Sequence, residues 1–459
     1  MAKSSLKVGL LSVLAAGAVG AATLEEDFRD PPREAGLWAW WHWQGNNVTR
    51  KGITLDLEAM RDSGLAGATI FTIAEHAGLG VLSNRVNKVM AYRNEEWWGL
   101  IAFAVAEAER LGLRIGMHNS PGFSVTGGPW IDPAHAMQKV TWTRRAVAGG
   151  ERLKGAALQQ PWACLGFYRD IAVLAVSDGA AVPVSDVLDL TNDFRDGVLN
   201  WQAPVGRNWT VYRFGSTPTG QRTHPVPDEI RKTCLETDKL SREATELHIR
   251  TGLEPLKARL GRSWGTTFNQ ITVDSYEAGK QNWSPCFREE FKKLVGYDPV
   301  PFLPVLDGRV VESPPRTQEF RADMDFVVRR LFALNYHEVL HDWARKNGVE
   351  LHLEPYGGAF DFCEASARAT CRWWSFGTAC RAGLETSRGC TAASPAFRAR
   401  SAAHWGAISS PQKPLRAGRP FPAGRKRRAI SSGRATPRWL AGSTASSCTT
   451  GYTSRSGTT

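Results

Sequence analysis

The stretch ITVDSYE, residues 271 to 277, is an apolar run that stops abruptly in two carboxylates, Asp274 and Glu277. Carboxylates at the end of a buried run are what acid/base work on a sugar bond requires. Three other apolar runs end in polar groups. GATIFTIAEH ends in Glu75 and His76, LRIGMHNSPG carries His118 and Asn119, and VELHLEPYGG carries Glu354 and Tyr356. Any one of these could be a surface charge or a turn, but four such endings point to one rim. The chain also holds 18 tryptophans, several of them in LWAWWHW, which contains Trp41 and His42. Aromatic faces stack on pyranose rings while carboxylates and histidines bind hydroxyls, so the rim suits a carbohydrate.

Such a rim needs elements that bring strand ends together. The strand-like LWAWWHW is followed by Ile53, Leu57 and Met60 at helical spacing, with Gly64 as a stop. After the next strand, Trp97, Ile101, Val105, Ala108 and Leu111 mark one face of a helix that runs into residues 113 to 122. The same alternation returns from about residue 236, with Met324, Val327, Val328, Leu331 and Leu334 on one helix face ahead of residues 349 to 358. Repeated βα units predict an α/β fold of (β/α)8-barrel type, with functional groups where strands end. Between 138 and 235 the rhythm becomes short alternating runs closed by Gly, Pro or Asp, which predicts an inserted all-β unit.

The first 22 residues place Lys3 and Lys7 before a short apolar stretch that ends in small residues, the build of a secretory signal peptide. The expectation is an exported protein, secreted or periplasmic, with no membrane span, because the apolar run is shorter than the roughly 20 residues a spanning helix needs. Eight cysteines show no metal-ligand or redox spacing. The net charge of +12 belongs to the tail. Residues 364 to 459 hold 16 of the 57 Lys and Arg and two of the 45 acids, so the rest of the chain carries −2.

The blocks WWHWQGNNVTRKGITLDLEAM, LGLRIGMHNSPGFSVTGGPWI, VDSYE and LHLEPYGG resemble, in this order, those of the α-L-rhamnosidases of glycoside hydrolase family 106. The resemblance runs from about residue 27 to 362. It implies a (β/α)8 catalytic domain with β accessory parts, and inverting hydrolysis of α-L-rhamnosides. Carried over, the glutamate of VDSYE is Glu277, the general acid, with Asp274 beside it to help hold the proton or bind substrate. His118, Asn119, Glu354, Tyr356, Trp41 and His42 are the expected substrate-binding residues. The resemblance also implies a catalytic base in a later block like AEAFT, and a calcium ion held in part by the glutamate of a block like VPMGEFW. Neither block is in this chain.

Beyond residue 362 the sequence turns to CRWWSFGTACRAG and GRKRRAISSGRATPRW, where no barrel strand can be read. Residues 442 to 457, back-translated with permissible codons and read from the third base, give VNRFVLHDWVHQPFG, which resembles a late block of the same family. The same offset permits DVPVVEFW over residues 369 to 377 and AEAFTS over residues 411 to 417. Three blocks in order and in one shifted frame imply a frameshift near residues 362 to 368, with the codon of the base straddling Gln412 and Lys413. The barrel is therefore expected to be incomplete. The expected organisation is a signal peptide at 1–22, barrel segments at 23–137 and 236–362 around the β unit at 138–235, and a disordered, out-of-frame basic tail at 363–459. The expected partner is a rhamnose-containing glycan or glycoside, with no nucleic acid. A catalytically dead rhamnoside-binding remnant is the second reading, and a polyanion-binding tail with steep salt dependence a third.

Overall fold

A computed structural model describes residues 24–29, 36–45, 47–74, 90–355, 357–369 and 371–372. The tail beyond Arg372, residues 1–23, Glu75, His76 and Tyr356 lie outside the described residues. Against the expectation of disorder from residue 363, the first tail residues are ordered, as the end of the helix Phe362–Ala367 and the short strand Cys371–Arg372, because backbone pairing with the preceding strand needs no apolar pattern.

After a short helix at Leu24–Arg29, strand β1 (Trp38–Gln44) leads into helix α1 (Arg50–Asp62), and β2 (Gly67–Ile73) precedes α2 (Glu95–Leu111) and β3 (Arg114–His118). Both helices begin where the sequence supplies a cap. The Thr49 hydroxyl accepts from the Gly52 amide, and the Asn94 side chain accepts from the Trp97 amide. Each thereby satisfies an amide that has no partner within its helix. Ile53, Leu57 and Met60 on α1, and Trp97, Ile101, Val105, Ala108 and Leu111 on α2, are buried as their spacing predicts.

Strands β4 (Phe268–Val273), β5 (Glu350–Leu353) and β6 (Cys371–Arg372) complete one six-stranded sheet in the order β1-β2-β3-β4-β5-β6, parallel throughout. Ile271 pairs with Leu351 and Val273 with Leu353, so the carboxylates after β4 and β5 emerge side by side. The sheet is an open one among the described residues, but it is strongly curled. Trp38 on β1 and His352 on β5 have ring centroids 6.4 Å apart. Four strand spacings in a flat sheet would separate them by roughly 19 Å. Inside the curl the Gln270 amide donates to Thr272 Oγ1 at 2.7 Å and to Thr69 Oγ1 at 3.2 Å. It reaches Thr69 over Gly116, where a Cβ would sit 3.0 Å from the Gln270 side chain.

Between β3 and β4 the chain builds two antiparallel sheets. One orders Gln138–Val147, Trp209–Pro218, Arg169–Ser177 and Val187–Asp189. The other orders Arg152–Ala157, Val198–Gln202 and Phe194–Arg195. Alternation splits the strand Arg169–Ser177 between two cores. Val173 and Ala175 pack with Leu153, Leu199 and Val211 of the insert, whereas Ala172, Leu174 and Val176 join the main core. The larger sheet is thus buried on both faces, which explains its nearly continuous apolar run. Its antiparallel strands end at Pro218, and the chain then crosses back over the ends of β2 and β3 before Leu235–Glu236 pairs with Gly127–Gly128.

Candidate active site

Alternation along β1 sorts the aromatic run. Ala39, Trp41 and Trp43 are buried, while Trp38, Trp40, His42 and Gln44 are half-buried on the opposite face. Trp41 is fully enclosed, its indole N–H donating to Asp56 on α1 at 3.0 Å. It packs under the helix layer and has no ring face to offer a sugar, contrary to the sequence expectation. Its neighbour Trp40 is on the inner face, against Phe71 and beside Thr69, Gln270, Thr272, His352 and Glu354. A shift of one residue along a strand exchanges helix side for cavity side.

His42 is on the inner face with Trp40, in edge contact with Phe71 at 5.6 Å and Phe123 at 5.4 Å. His118, at the end of β3, stacks on Phe71 at 5.1 Å. Burial lowers both imidazoles to a pKa of about 4, so they are neutral at physiological pH. The His118 Nδ1 donates to the Ser120 carbonyl at 2.5 Å, which leaves Nε2 as an acceptor with no protein partner in a buried setting. Asn119 has a different task. Its amide donates to the carbonyls of Val125 and Thr272, and its oxygen accepts from Thr126 Oγ1 at 2.7 Å. With these bonds made, Asn119 secures the loop after β3.

The carboxylates after β4 and β5 divide into two kinds. Asp274 and Glu354 are both buried, at 3% and 4% exposure, and are hydrogen-bonded to each other. Burial comes first, then the hydrogen bond and charge of Glu354, and together they hold Asp274 well above the usual carboxylate range. The proton that two adjoining buried carboxyls must retain sits in this pair. Glu277 is 48% exposed at its side chain and faces outward. Its Oε1 accepts from the Ser275 hydroxyl at 3.1 Å, and its Oε2 lies 3.3 Å from His224 Nε2. Glu277 is therefore the carboxyl of the three that is open to solvent. A close approach supports this geometry: Gly357, at φ +85°, lies so near Tyr276 that a Cβ would come 2.5 Å from its carbonyl oxygen.

Beneath the rim lies a buried charged segment that the sequence reading did not single out. Lys239 and Glu236 are fully enclosed and paired at 2.5 Å. The ammonium also reaches the carbonyls of Thr237 and Thr126, and Ser124 donates to the other glutamate oxygen. Asp238, raised by burial to a pKa of about 6, accepts from Ser284 at 2.8 Å, from Gln281 and from the Leu240 amide. The signal was present in LETDKL, three charges set between leucines. His224 was also missed, since a lone histidine before a proline in a loop carries no motif. Among the described residues no group of three or more His, Cys, Asp or Glu is arranged to hold a metal ion.

The family model for α-L-rhamnosidase, glycoside hydrolase family 106, matches residues 29–180 and 172–370. A Formosa agariphila protein with the provisional name beta-glucuronidase is 36% identical over 390 residues, covering 77% of this chain and 32% of its own length. The solved rhamnosidase from Novosphingobium sp. PP1Y superposes with a TM-score of 0.68 at 22% identity, over 76% of this chain and 49% of that one. The chain thus spans about a third of the curated relative and about half of the solved structure it matches.

Proposed function

The chain belongs to glycoside hydrolase family 106, the α-L-rhamnosidases, and from that premise we propose that it is part of an exported enzyme that hydrolyses terminal α-L-rhamnosides with inversion, its own frame lacking the catalytic base. Strands β1 to β5 of its curled parallel sheet are read as five strands of a (β/α)8 barrel, supported by the meeting of Trp38 and His352 across the interior. The observation that carries the reading is Glu277, half-exposed at a strand end and held by Ser275, beside the buried Asp274–Glu354 pair. In this reading Glu277 gives its proton to the glycosidic oxygen. His42, His118 and the ring of Trp40 meet the sugar from the inner face.

An inverting enzyme needs a second carboxylate about 6.5 to 9.5 Å away with water between. The family match stops at residue 370 although the chain runs to 459, which favours the reading that the base and calcium blocks lie in a shifted frame. Loss of general-base help costs about 10²- to 10⁴-fold in rate. Glu354, bound to Asp274, is a poor substitute for the base.

Expressing this chain beside a frame-restored version and assaying both on an aryl α-L-rhamnoside tests the proposal. The expected result is turnover in the restored chain alone, lost with Glu277→Gln. Equal turnover by both chains would remove the frameshift reading. Rhamnoside binding without turnover in the chain as written marks the binding-remnant alternative. The name of the Formosa relative favours one further arm, an aryl β-D-glucuronide, and faster cleavage of it would overturn the rhamnoside assignment.

A further inference from the structure

The segment that leaves the β insert brings His224 to the site, and its backbone is unusually well fixed for a loop. The His224 carbonyl accepts from the amides of Phe123 at 2.8 Å and Ser124 at 3.1 Å, and the Pro225 carbonyl accepts from Ala74 at 3.2 Å. Gly122 permits this approach. At φ +89° its Cβ would stand 2.7 Å from the His224 oxygen, so both its backbone conformation and the space exclude a larger residue. The imidazole is thereby suspended over the end of β4, half exposed, with Nε2 3.3 Å from Glu277 Oε2.

The proton inventory of this contact follows from the other ring nitrogen. His224 Nδ1 lies 3.1 Å from the Arg222 carbonyl, which can only accept, so Nδ1 carries a hydrogen. In a neutral ring Nε2 is then a bare lone pair. Nε2 stands at ion-pair distance from Oε2 rather than in hydrogen-bond alignment with it, and an ionised carboxylate there would set a lone pair against a negative oxygen. One proton between ring and carboxyl removes the conflict, whether written as imidazolium with carboxylate or imidazole with carboxylic acid. The other groups nearby do not supply it. The Arg222 guanidinium is spent on the carbonyls of Gly220 and Lys232, Ser275 serves Oε1, and the buried Asp274 interacts with Glu277 through charge alone.

We propose that His224 is the positioning residue of Glu277, fixing Oε2 and sharing one proton with it, so that the return segment of the β insert completes the acid end of the site. Its catalytic meaning rests on the reading of Glu277 as proton donor, but the shared proton is observable without substrate. The test is long-range proton–nitrogen correlation NMR on the full chain labelled with nitrogen-15, with His224→Gln identifying its signals among the ten histidines. The expected spectrum shows Nδ1 protonated and Nε2 displaced toward its protonated position. Glu277→Gln, and the one-methylene withdrawal in Glu277→Asp, should each return Nε2 toward the bare-nitrogen position, with the other nine histidines unchanged as the folding control. A bare Nδ1, or an Nε2 signal indifferent to both substitutions, would overturn the proposal. If the dyad is seen while Glu277→Gln leaves the turnover of the frame-restored chain intact, the function reading fails. If it is absent while Glu277→Gln abolishes the turnover of the frame-restored chain, this one does.

Discussion

At the level of single side chains, two carboxyls three residues apart have been given opposite duties by burial. Asp274 is enclosed and bound to Glu354, whereas Glu277 is half exposed. Because the folded state raises the Asp274 pKa above its ordinary 3.8, its stabilising contribution is complete below that value and is lost as pH rises through the folded pKa. Asp274→Asn keeps a neutral group of the same shape. Its stability relative to the unsubstituted chain should therefore increase as pH is raised from 4.5 to 8, by at most about 1.4 kcal/mol per pH unit. Urea unfolding of both chains across that range measures it, and parallel curves would mean that Asp274 is ionised in the folded protein.

Elements are joined by buried polar segments as much as by apolar faces. The Glu236–Lys239 pair ties the strand end at Leu235–Glu236 to the loop after β3, through Ser124 and the Thr126 carbonyl. Removing one partner of an enclosed pair leaves a charge without compensation, a loss of about 3 to 5 kcal/mol. Lys239→Ala should cost that much in denaturant unfolding, and pairing it with Glu236→Gln should recover a good part. A double substitution no better than the single one would show that the lysine acts through packing alone. For comparison, Leu57→Ala on the buried face of α1 should cost about 2 to 5 kcal/mol through the lost contacts and the cavity left behind. A change under 1 kcal/mol, read by the same unfolding measurement, would place α1 outside the cooperative core.

Across the described residues, burial lowers five histidines: the half-buried His42 and the buried His118 to a pKa of about 4, the buried His248 and His337 to about 3, and the buried His352 in the same direction. A depressed imidazole contributes stability that is present above the ordinary 6.5 and is lost as pH falls through the folded value. The chain should therefore lose thermal stability steadily between about pH 6.5 and 4, while Asp274 acts in the opposite sense. A melting temperature that held constant down to pH 4.5 would contradict the burial of these rings. The expectation can be dissected with His337→Gln, on the helix Ala333–His337, which should flatten the acid side of the profile.

Periodicity was enough to read α1, α2, the parallel run from β1 to β5 and the switch to antiparallel pairing in the insert, because each depends on which residues recur at 3.6 or 2 along a local stretch. The carboxylate rim at Asp274, Glu277 and Glu354 was legible for the same reason, since apolar strands that stop in acids declare their own ends. Local pattern could not decide which face of β1 meets the helices, so Trp41, whose ring the fold encloses, was read as a rim residue, nor that Asn119 would spend its amide on Val125 and Thr272. The carboxyl that keeps its proton and the placement of His224 beside Glu277 belong to tertiary structure alone. Both arise from groups 80 and 53 residues apart in the chain, and burial and charge act through space, where sequence separation has no bearing.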